Sequence, residues 1–185
     1  TMGEATEYRN RIINEFDKLG YETVYKVLSA ADYETPQDRK RCFFVAVRND
    51  IMEKAGLNFM TLESEIYPDP VTPKHIGIKE AIEDCVNDPE QEKELFEYVQ
   101  NGFQKKWIEL LEFNPTKHRK PSDPDFIEIN PKRSMFNMIR PAPHLPSPTL
   151  TQRGQQMSVS GVFHYAKNRK LTIPELKRLM GLPED

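Results

Sequence analysis

None of the eight glycines has another glycine two positions away, so the chain contains no GxG turn of the kind that cradles a phosphate or a dinucleotide. Cysteine is almost missing. Cys42 and Cys85 lie far apart and form no CxxC pair, which leaves no disulfide framework and points to a reducing, cytoplasmic home. His75, His118, His144 and His164 show no metal-ligand spacing, so no metal site is expected. No apolar run reaches the length of a membrane span, and the opening TMGEATEYRN lacks the character of a signal peptide.

What is present suits one domain with a modest core, or a domain with a small second lobe. Of 185 residues, 37% are hydrophobic and 30% charged. The net charge of −3 conceals an asymmetry. Residues 51–112 carry 6 basic and 14 acidic side chains, whereas residues 113–185 carry 12 basic and 6 acidic. A polyanion would be repelled by the middle and drawn to the last third; unevenly solvated faces are the plainer alternative.

The apolar spacing of Tyr8, Ile12, Ile13, Phe16 and Leu19 predicts an amphipathic helix over 5–19, closed by Gly20. YETVYKVLSA (21–30) and RCFFVAVR (41–48) read as strands packed inside an α/β sheet, with Cys42 as a core thiol. The ten-residue link between them, ADYETPQDRK, reads as a surface loop at a sheet edge. A Pro-rich connector follows, then a short helix over 78–86 holding Cys85 in its core side. A longer helix opens with Asp88 as cap and Pro89 in the first turn. Its expected stripe is Phe96, Val99, Phe103, Trp107 and Leu110/Leu111, with Glu90, Glu92, Glu94 and Glu97 on the solvent side. From Asn114 to Ser147, prolines and basic residues alternate with short apolar pieces (DFIEI, SMFNMI), an irregular, strand-poor β lobe. A last helix has Thr172 as N-cap and Pro174 in its first turn.

Gln37, Arg39 and Arg41 alternate, so in extended backbone they share a face. Two guanidiniums and an amide suit phosphates or the carbonyl edge of a base. Ion pairs with Asp32, Glu34 or Asp38 are the plainer reading. The run KHRKP could grip phosphates or be a solvated basic turn.

The stretch AADYETPQDRKRCFFVAVR resembles the eighth of the ten ordered motifs of the DNA (cytosine-5) methyltransferase family. NRKLTIPELKRLMGLPED is similar to the ninth, and LPSPTLTQRGQ resembles the end of the family's target-recognition domain, where a Thr-Leu pair recurs. The resemblance implies an α/β fold: the C-terminal strands and helix of a Rossmann-like methyltransferase sheet plus a small irregular α+β target-recognition lobe. Residues 1–57 would be the last catalytic strands, 58–165 the recognition domain, and 166–185 the helix returning to the catalytic domain. It also implies a catalytic-pocket role for Gln37, Arg39 and Arg41, with Arg41 on O2 of a flipped cytosine and Arg39 holding the pocket. Thr149 would touch a backbone phosphate, with Leu150 its partner in the pair. Arg140 and Arg153 join them as DNA contacts because they lie in the basic third.

The chain departs from the pattern at Glu34, where the family has Gly, at Pro174, where it has Arg, and at Met180, where it has Gln. The Pro-Cys nucleophile, the Glu-Asn-Val glutamate, the glycine-rich loop for S-adenosylmethionine and the tenth motif are not in this sequence. The expectation is therefore the C-terminal part of a bacterial or phage enzyme, inactive alone, that serves duplex DNA with an N-terminal half in cis or as a separate subunit. A non-catalytic DNA-binding or specificity module is the alternative. An interaction protein without DNA contact is a third, opposed by the basic last third.

Overall fold

The computed structural model describes residues 2–102, 104–111, 116–132, 138–151 and 161–183. The chain is mixed α/β, as expected, and its sheets are small. It divides into two compact units, Thr1–Leu28 with Lys40–Pro70, and Ser29–Arg39 with Val71–Asp185.

In the first unit, helix α1 (Met2–Lys18) ends as the sequence foretells. Gly20 takes a left-handed φ of 81° and donates to Asp17 O at 2.9 Å. Strand β1 (Tyr21–Ser29) pairs with β3 (Lys40–Arg48), and the chain turns at once into α2 (Asn49–Ala55). Helix α3 (Phe59–Ile66) follows, with Asn58 and Thr61 forming a reciprocal capping box. Val24, Met52, Leu62 and Tyr67 make the core, flanked by Leu28, Val45 and Val47. The Tyr67 hydroxyl lies 2.9 Å from Phe43 O and 3.1 Å from Val24 O, a shared bond that ties α3's end to both strands.

Two expectations are corrected here. Strand β3 is not a buried central strand: its residues are exposed or half-buried, and Phe43 is 47% exposed. Cys42 is likewise exposed, not a core thiol. A two-stranded sheet offers one packed face, and Cys42 alternates out of phase with Val45 and Val47. The stripe on α1 is also open. Phe16 meets the ring edge of Tyr21 and Arg9 lies over Tyr25, yet Tyr8 and Leu19 remain exposed, the latter at 72%.

The second unit opens with a 3-10 turn, Ala30–Tyr33, and the two-residue strand β2 (Gln37–Asp38). Helices α4 (Ile78–Ile82), α5 (Pro89–Asn101) and α6 (Gln104–Leu110) follow. The remaining strands are two-residue pieces: β4 (Met138–Ile139), β5 (Ser147–Pro148) and β6 (Gly161–Val162). Helix α7 (Ile173–Leu179) closes the fold with the expected Thr172 cap, boxed by Glu175. Asp88 caps α5 through the Glu90 amide, and Pro89 sits in its first turn. Gly77 is required by proximity, because a Cβ there would stand 2.6 Å from Pro143 O. The amides of Ile78 and Lys79 bond to Leu145 O and Pro143 O beside it.

The long helix expected beyond Pro89 is broken at Gly102, whose ψ of 173° leaves the helical region. Its buried stripe uses Leu95 and Val99, whereas Phe96 is exposed. Trp107 and Leu111 are core as expected, packed with Ile108, Phe126, Met138 and Phe163; Phe103 lies outside the described residues. DFIEI begins in a 3-10 turn (Pro124–Phe126), in keeping with a strand-poor lobe. A second cluster joins α4 and α7 through Ile78, Ile82, Leu150, Val162, Leu171 and Leu179.

Candidate functional site

The link read as a surface loop is instead pinned into the second unit. Its backbone explains how. The 3-10 turn ends at Glu34, which adopts the left-handed φ of 60° and ψ of 10°. This is the position where the family pattern carries glycine, the residue that adopts such a φ without strain. The Glu34 amide donates to Thr72 Oγ1 at 2.7 Å, and the amides of Val71 and Thr72 donate to Asp32 O. Pro36 then holds the chain extended, and residues 36–39 lie beside residues 147–150.

Here β2 pairs in parallel with β5, Gln37 opposite Ser147 and Asp38 opposite Pro148, with the Ser147 amide on Pro36 O at 2.9 Å. Side chains extend this short pairing. Thr149 Oγ1 donates to Asp38 O at 2.9 Å, and the Leu150 amide donates to Gln37 Oε1 at 3.2 Å. Arg39 Nη1 donates to Leu150 O at 3.3 Å, while Gln37 Nε2 donates to Leu179 O at 3.3 Å.

The structure thus brings together Gln37, Arg39, Thr149 and Leu150, four residues chosen from two separated motifs. Two of the four are enclosed by the fold. Gln37 is only 3% exposed and its amide is engaged at both ends, so it does not face a substrate. Leu150 is buried in the α4–α7 cluster. Arg41 belongs to the first unit; it is exposed, with Nη1 on Lys40 O at 2.7 Å. The plainer reading of the arginines finds no support among the described residues. Asp32 accepts from His75 at 2.7 Å and Asp38 from the Ser29 hydroxyl at 3.0 Å.

Arg140 corrects an expectation. It is 5% exposed, and Nη2 donates to Ile108 O at 2.9 Å and to Asn168 Oδ1, with Nη1 toward His164 O. Burial lowers its pKa to about 10. A guanidinium so enclosed braces the fold. Arg153 lies outside the described residues. The KHRKP run is partly folded in, with Lys117 left exposed. Arg119 is buried against Asp123 and Asp125, and His118 Nδ1 accepts the Ala142 amide.

Sequence reading missed a buried ionic knot. Arg169 makes a two-pronged pair with Glu175, each prong 2.8 Å, and also bonds Glu92. Glu92, expected on a solvated face, takes Lys167 as well at 2.7 Å. That hydrogen bond and Arg169 hold the Glu92 carboxyl below its ordinary range. Burial alone would raise Glu175, but bonds from Arg169 and the Thr172 amide outweigh it. The Thr172 cap was legible; its box with Glu175, and the partner 77 residues upstream of Arg169, were not read.

S-adenosylmethionine, which the resemblance implies, finds no cradle among the described residues. The described glycines of positive φ (Gly20, Gly56, Gly161 and Gly181) stand singly, three of them at helix ends. The residues present do not fit the cofactor.

Residues 3–185 match the model of the C-5 cytosine-specific DNA methylases, and the chain belongs to that family. It is similar to the Type II methyltransferase M1.HphI of Haemophilus parahaemolyticus, 27% identical over 96% of this chain and 43% of that protein. It is 24% identical to the Type II methyltransferase M.DdeI of Desulfomicrobium norvegicum, over 94% of this chain and 47% of the relative. Identity to the Type II methyltransferase M.MthTI of Methanothermobacter thermautotrophicus is 38%, over 50% of this chain and 24% of the relative. The chain spans less than half the length of these relatives.

Proposed function

We propose that this chain supplies target recognition and pocket arginines to a Type II DNA (cytosine-5) methyltransferase acting on duplex DNA. The nucleophile and the S-adenosylmethionine site come from an N-terminal part, in cis or as a separate subunit, and the chain is inactive alone. The observation that carries this reading is the seating of the Gln37–Arg39 segment on Thr149 and Leu150. Two family motifs more than a hundred residues apart form one local structure.

The chemistry assigned to this chain is electrostatic. A cytosine must leave the stack before C6 and C5 can be reached. Attack at C6 places negative charge in the ring, and a guanidinium on O2 stabilises it. We assign that contact to Arg41 and the pocket wall to Arg39. Thr149 is assigned to a DNA phosphate, an exchange of its Asp38 acceptor for a phosphate oxygen.

The test is complementation. Mixed with a part bearing the Pro-Cys and Glu-Asn-Val stretches, the chain should restore methyl incorporation into duplex DNA. Arg41→Ala should lower it roughly 100-fold or more and spare duplex binding. Loss of binding in step with activity would remove the pocket role. Binding to duplex DNA with no complementation would favour a specificity module.

A further inference from the structure

Gln37 is buried and out of a substrate's reach, yet both ends of its amide are engaged. We infer that Gln37 is a positioning residue, holding the Leu150 peptide so that Leu150 in turn aims the Arg39 guanidinium. The inference rests on the pocket role proposed above for Arg39 and adds how that side chain is set.

The argument follows the bonds. The Leu150 peptide is held on both sides, its N–H by Gln37 Oε1 and its C=O by Arg39 Nη1. Gln37 and Arg39 lie two apart in extended backbone and project to one face, so they grip the same strand from one side. The two-residue pairing of β2 with β5 ends at Asp38 and Pro148, and the side-chain clamp extends the join to Leu150. The other end of the Gln37 amide rests on Leu179 O, in the last turn of α7, where carbonyls lack helical partners. A planar amide thus links α7, the Leu150 segment and the strand carrying Arg39. Only a side chain with an acceptor at this length can hold the Leu150 N–H.

Two variants separate placement from mere packing. Gln37→Met keeps the volume and removes both bonds; Gln37→Glu keeps an acceptor for the Leu150 amide. In the chain alone, hydrogen exchange at the Leu150 amide should quicken roughly fivefold or more in Gln37→Met and stay near wild type in Gln37→Glu. In the reconstituted enzyme, Gln37→Met should lower kcat roughly 10- to 100-fold with little change in KM for DNA. Gln37→Glu should recover most of kcat. Unchanged exchange in Gln37→Met overturns the clamp whatever the enzyme does. Quickened exchange with kcat within about twofold of wild type overturns the positioning role and leaves the proposed function standing. A Gln37→Glu as slow as Gln37→Met also overturns it. Should Arg41→Ala methylate normally in the same assay, it is the pocket reading that fails, and this inference falls with it.

Discussion

Glu34 and Thr149 show how much a single residue's setting decides. An L-residue in the left-handed region is strained by about 1–2 kcal/mol, offset in part by the greater freedom glycine has when unfolded. Glu34→Gly should therefore stabilise the chain by about 0.5–1 kcal/mol, read as a higher urea midpoint at unchanged slope. A lower midpoint would mean the glutamate side chain contributes more than its backbone loses. Thr149→Val removes the donor to Asp38 O and should lower stability by about 1 kcal/mol, alongside weaker duplex binding by fluorescence anisotropy. Weaker binding at full stability would assign the hydroxyl to DNA alone.

Among the elements, the join of α5 and α7 is the most exacting. Arg169 and Glu175 are paired out of water, with half-buried Glu92 joining them, so removing Glu175 strands a buried charge. Glu175→Ala should lower stability by about 3–5 kcal/mol in urea unfolding. The pH dependence has a definite sign. Glu92 and Glu175 are both held below the usual 4.5, so their contribution is complete above that value. It is lost as pH falls through their folded values, and near-ultraviolet circular dichroism of Trp107 should report the loss. A urea midpoint that does not fall as the pH is taken below 4.5 would contradict it. These elements also mark what the sequence made legible. Caps and helix ends depend on neighbours, so Gly20, Asp88 and Thr172 could be read directly. The phase of α5 could not: Leu95 and Phe96 are both apolar, and only packing decides which turns inward. Strands of two residues carry no periodicity, which hid β4, β5 and β6. Gln37 could be marked as important, but its burial depends on Leu150 and Leu179, far along the chain.

At the scale of the molecule, the first unit leaves an uncommon amount of apolar surface open: Tyr8, Leu19, Val27 and Phe43 among others. On the proposed reading these residues meet the part that carries the nucleophile. Leu19→Lys should then raise the solubility of the chain alone and abolish complementation, both measured on the same preparation. Complementation at wild-type level would place the contact elsewhere.

The pairing of Gln37 with Ser147 closes a very long excursion of the chain. Closure entropy grows only with the logarithm of loop length, so doubling that excursion would add about 0.6 kcal/mol to its cost. Insertions and deletions between the two anchors are thus nearly free of thermodynamic penalty at the joint. On the proposed reading, such a lobe is free to change length and content as it comes to read different DNA sequences, while the seam beneath it stays shut.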